Sequence, residues 1–154
     1  MSDKTPDQQP QPAFMVNAQY IKDLSFELPN APAVFADMQS KTPEIEIQVN
    51  LNAANVQDNL FEAVLALRVT GTAEGKPAFI LELSYAGLFT ISVPQEHLEQ
   101  ALFIECPRLL FPFARAIVAD VSRDGGLPPL VLQPIDFIAM YHQRMERMAA
   151  QGNA

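Results

Sequence analysis

The chain has 154 residues, 49% of them hydrophobic and 18% charged, with 10 Lys and Arg against 18 Asp and Glu and a net charge of −8. That length points to one domain around a single core, and the acid excess argues against a nucleic-acid partner and for a basic one. No apolar run approaches the roughly 20 residues that cross a bilayer, so no direct membrane insertion is expected, and a single cysteine excludes an internal disulfide and fits a reducing compartment.

Residues 1–12, MSDKTPDQQPQP, are polar and proline-bearing, with neither a basic start nor an apolar signal segment, and are expected to form a disordered tail. A single domain is expected over residues 13–148, with residues 149–154 as a flexible C-terminal tail. From Ala13 to Leu28 the even positions Phe14, Val16, Ala18, Tyr20, Lys22, Leu24, Phe26 and Leu28 are apolar except for the lysine. The odd positions from Asn17 to Glu27 are polar except for Ile21, so period two predicts a strand with one buried face. PNAPAVFADMQSKTP then makes a connection of 15 residues, longer than most. Its Val34, Phe35 and Met38 imply that it either folds onto the core or partly covers an apolar surface.

Three more strands follow. Ile45, Ile47, Val49 and Leu51 mark the second; Phe61, Ala63, Leu65, Leu67 and Val69 the third; and Phe79, Leu81, Leu83, Tyr85, Phe89 and Ile91 the fourth. The turn signal EGKP joins the last two as an antiparallel hairpin. Pro94 suits the first turn of a helix through Phe103, and Pro107 the start of a second, which Pro112 should kink or begin. Arg123-Asp124-Gly125-Gly126 ends that helix, LPPLVLQP is an extended connector, and a last helix begins near Ile135. Strands first and helices second is the α+β pattern.

Catalytic chemistry is sparse. Cys106 at a helix start with His97 as base would make a nucleophile, but His97 sits in a glutamate-rich segment with no orienting Asn or Asp, and a small packing residue is the simpler reading. His97 and His142 have no metal-ligand spacing. Gly125-Gly126 follows a helix rather than opening one, so no phosphate loop, cofactor or metal is expected. Asp23, Glu27, Ile80 and Glu82 share the wet parity of the first and fourth strands. That is either a solvated face or, given the apolar spots Ile21 and Ile80, an interface.

YIKDLSFELPNAP, GLFTI, IECPRLLFPFAR and LPPLVLQPIDF, in this order, resemble the SecB family of bacterial protein-export chaperones, over about Tyr20 to Phe137. The resemblance implies a four-stranded antiparallel sheet with helices packed on one face, assembling as a homotetramer, a dimer of dimers with joined sheets. It implies a cytoplasmic holdase, not an enzyme, that binds unfolded precursor proteins and delivers them to the motor ATPase SecA. Asp23, Glu27, Ile80 and Glu82 match the family's SecA-docking positions. The client groove would lie between the long first loop, with Val34, Phe35 and Met38, and the helix after Pro107, with Leu109 and Phe113, and Cys106 would be structural. The family's loop often carries a tryptophan, which this chain lacks. Its C-terminal RMERMAAQGNA also lacks the acidic tail of some members. The alternatives are a SecB-like chaperone dedicated to one client, such as a toxin–antitoxin system, and a cysteine hydrolase.

Overall fold

The computed structural model describes residues 13–152; the expected N-terminal tail and residues 153–154 lie outside the described residues. Four long strands, β1 (Phe14–Glu27), β2 (Glu44–Gln57), β3 (Leu60–Ala73) and β4 (Lys76–Ile91), form one antiparallel sheet in the order β1-β4-β3-β2. Two-residue turns set both hairpins. Glu74 and Gly75, at φ 50° and 73°, supply the left-handed pair that matches strand twist between β3 and β4. Between β2 and β3, the Asn55 amide donates to the carbonyls of Asp58 (3.0 Å) and Leu60 (3.3 Å).

Alternation in β2, β3 and β4 places the expected apolar residues on one face. Leu65, Val69, Phe79, Leu81, Leu83, Phe89 and Ile91 are buried there, facing Leu110, Ala114 and Val118. These last three belong to α3 (Cys106–Asp124), whose buried positions Cys106, Pro107, Leu110, Phe111, Ala114, Val118 and Ser122 recur at helical spacing. Among the described residues, no helix packs on the other face of the sheet. The expected break before Pro107 is absent: α2 (Gln95–Gln100) runs through a π-helical turn at Ala101–Glu105 straight into α3. Pro107 sits in the first turn of α3, and Pro112 lies inside that helix rather than at its start.

Two further segments differ from expectation. The long β1–β2 connection is not a plain loop but contains α1 (Ala33–Ser40), pinned by Val34, which is 1% exposed in the core. The last helix, α4 (Phe137–Gly152), starts two residues after Ile135 because the Asp136 carboxylate accepts from the Ala139 amide at 3.0 Å, a side-chain N-cap. It runs to the end of the described residues, so residues 149–152, expected in a flexible tail, are helical. Ala149, Ala150 and Gln151 are good helix formers.

β1 carries the main correction to the alternation. Its pairing with β4 slips between Val16 and Ala18 and again between Ile21 and Asp23. Each slip is a bulge, and the stretch between them is reversed. Ala18, Tyr20 and Lys22 therefore face outward, while Gln19 and Ile21 turn to the helical side. Ile21 lies opposite Tyr85, not on the outer face with Ile80. Beyond the second bulge the original alternation returns.

Candidate functional site

The helical side of the sheet holds an open apolar groove of about 440 Å³. Its walls are Phe35 and Met38 from α1, Ile45 from β2, and Leu127 to Leu130 from the connector after α3, with Phe79 beneath. Each wall is fixed locally. Val34 anchors α1, so that Phe35, one residue on, is turned outward and is 36% exposed. Ser122, buried in α3, donates from its hydroxyl to the Val118 carbonyl (2.8 Å) and accepts from the Leu130 amide (2.9 Å), which ties the connector to the helix. Gly71 leaves room for the Phe79 ring, since a Cβ there would lie 2.2 Å from Cε1.

Of the residues expected in the client groove, the structure brings Phe35 and Met38 together. Val34 lies beneath them as core. Leu109 and Phe113 sit elsewhere, near the start of α3, where Phe113 stacks on Tyr85 at 6.2 Å between ring centroids. With about 1.5 Å of rise per residue, that is some 20 Å along α3 from Gly126, which lines the groove. The wall opposite α1 is the proline-rich connector. Its signal is visible in LPPLVLQP, where prolines hold an extended backbone and apolar side chains have no strand to join.

On the outer face, the register sets Asp23 opposite Ser84, Ser25 opposite Glu82, and Glu27 opposite Ile80. Asp23, Glu27, Ile80 and Glu82 thus form one patch across two hydrogen-bonded strands, the two β1 acids being two side-chain repeats apart. Glu82 is ion-paired with Arg68, its direct partner on β3. Further along the same face, Glu62 accepts from Lys22 Nζ at 2.7 Å and from the Tyr20 hydroxyl. The alternation alone groups the four patch residues but misses the Glu62 cluster, because the β1 bulges are what turn Tyr20 and Lys22 outward.

Cys106 has no exposed surface, and burial, with the Glu105 charge second, pushes its thiol up to about 12. It is a core residue without thiolate character at neutral pH. His97 is exposed and its nearest acid is Glu96 at 3.8 Å. Among the described residues no group of His, Cys, Asp or Glu is placed to hold a metal, and no helix is long and apolar enough to cross a membrane.

A four-stranded antiparallel sheet with helices on one face, an apolar groove on the helical side and acidic residues on the bare side, describes an α+β protein built around binding surfaces. A family model described as "Preprotein translocase subunit SecB" matches residues 7–148. A Protein-export protein SecB of Paramagnetospirillum magneticum is 58% identical over 140 residues, covering 91% of this chain and 90% of the relative. Those of Nitrobacter winogradskyi (55%; 94% and 91% covered) and Rhodospirillum rubrum (48%; 100% and 96% covered) are also similar. The chain belongs to the SecB family. Among solved structures, a Mycobacterium tuberculosis SecB-like chaperone, in complex with a ChAD peptide from the HigA1 antitoxin, shares the fold at a TM-score of 0.67 and 14% identity, over 80% of this chain and 91% of that one.

Proposed function

We propose that this chain is a holdase that captures unfolded precursor proteins in the groove between α1 and the Leu127–Leu130 connector and passes them to SecA through its outer face. As a SecB family member it is a protein-export chaperone. The observation that carries the capture step is the groove itself: open, about 440 Å³, and walled by Phe35, Met38, Ile45 and Leu127. Apolar side chains with few fixed polar groups suit sequence-tolerant binding, and Met38 adapts to varied clients. The handover reading is supported by the grouping of Asp23, Glu27, Ile80 and Glu82, the positions matching the family's docking residues, on the opposite side of the sheet. A basic segment of SecA docks against the acids, with Ile80 as a small apolar contact. We further assign a cytoplasmic homotetramer, a dimer of dimers with joined sheets.

The test measures suppression of aggregation of an unfolded precursor, with and without SecA, for wild type and for Asp23→Lys with Glu82→Lys. The double variant should lose SecA binding and keep aggregation suppression, because groove and patch lie on opposite faces. SecA affinity in the wild type should weaken with salt. Equal affinities, or joint loss of client capture, would show the docking face to be elsewhere. The single-client alternative is not favoured: the antitoxin-peptide complex belongs to a chaperone 14% identical to this chain, a likeness of fold alone.

A further inference from the structure

We propose that Arg68 is an internal competitor at the docking face, holding Glu82 until a cationic segment of the partner displaces it. The inference rests on the docking reading above. Arg68 and Glu82 are directly opposite each other on β3 and β4, and Arg68 Nη1 contacts Glu82 Oε1. Both side chains are nearly half exposed, at 48% and 42%. Together with Asp23, Gln48, Asn50 and Ser84 they line a depression of about 190 Å³. The neighbouring cation, Lys22, is engaged by Glu62. Among the described residues Asp23 and Glu27 have no ion pair, so of the three acids in the patch only Glu82 is compensated within the chain.

A cationic side chain entering this depression meets Asp23 on one wall and Arg68 on the other. It must exchange with Arg68 for Glu82 or suffer like-charge repulsion, a device that selects among partners more than it adds affinity. A ligand that also engages Asp23 and Glu27 offsets that cost, whereas an isolated cation does not. Arg68 therefore filters for segments with several basic residues.

The experiment measures affinity for purified SecA at low and high salt, using the full chain as wild type, Arg68→Gln, Arg68→Lys, and Asp23→Asn with Glu82→Gln. Removing a competitor of exposed-pair strength should tighten binding about two- to fivefold at low salt, and the gain should shrink at high salt. Arg68→Lys restores a cation and should bind like wild type. If Arg68→Gln binds no better than wild type while the Asp23/Glu82 variant loses binding, the docking face stands and the competitor role of Arg68 is overturned. If neither variant changes affinity, the docking reading fails and this proposal fails with it.

Discussion

Glu62 holds two donors at once, and the pH behaviour of the outer face follows from that. Its carboxyl is lowered by the hydrogen bond from Lys22 and then by that from Tyr20. The Tyr20 phenol is pushed up to about 12, first by desolvation and then by the bond to Glu62 and its charge. The Glu62 contribution to stability is therefore present above its unfolded carboxyl value and is lost as pH falls through the lowered folded one. That of Tyr20 is present below its ordinary value of 10.0 and is lost as pH rises through about 12. Glu62→Gln removes the negative charge from this contact, so phenolate absorbance should show Tyr20 titrating at lower pH; an unchanged titration curve would disprove the coupling. Cys106 gives a second test at this scale. With its thiol buried and protonated, an alkylating reagent should label it slowly in the folded chain and rapidly in denaturant, without loss of client capture from the folded protein. Local pattern could suggest that Cys106 is core, since it lies in an apolar helix start. It could not reveal Tyr20 beside Glu62, which are 42 positions apart and meet only because a bulge turns Tyr20 outward.

Elements differ in how plainly they are written. β3 and β4 alternate without interruption through their cores, so their buried faces are legible residue by residue; β2 keeps the alternation, but at the sheet edge its Ile45 and Ile47 stay 49% and 44% exposed. α1 is not, because AVFADMQS is short and lies between Pro32 and Pro43, where a loop is the simpler reading. The ion pair at Glu82 is hidden by geometry. Counted back from the Glu74-Gly75 turn, Arg68 falls opposite Leu81, and only the register shift between Gly71 and Thr72 moves it to Glu82. Gly71 carries a further consequence for the groove, because the Phe79 ring occupies the space where its side chain would be. Phe79 is 1% exposed and has little room to retreat. Gly71→Ala should cost about 1–3 kcal/mol, read as a lower denaturation midpoint. α1 answers a separate test: Phe35→Asp with Met38→Asp should weaken capture of an unfolded client and leave assembly intact, since both side chains line the groove. Unchanged capture would remove α1 from the site.

At the scale of the molecule, the notable surface is apolar and lies along one border. Val16, Ile21 and Leu24 on the helical side of β1, with Leu109 and Phe113 on α3, are between 38% and 51% exposed. Side chains of this kind gathered at a sheet edge favour association. The bulges of β1 place Ile21 on this border rather than beside Ile80 on the outer face, where unbroken alternation would put it. We expect light scattering to find a homotetramer of 17.0 kDa chains at micromolar concentration, and Ile21→Glu with Phe113→Glu to shift it toward smaller species. A stable wild-type monomer would overturn the assembly.

The two bulges also give the β1 border a property that charge and hydrophobicity do not describe. β1 spends fourteen positions, 14–27, to travel alongside twelve of β4, 80–91. A ribbon longer than the one it is stitched to must bend, and each bulge adds to the local twist. A flat, extended segment of an unfolded client meets a bent and twisted edge, a poorer template for a continuous ladder than a straight one. For an export chaperone, which works beside chains that have not folded, the edge strand is guarded by its own curvature.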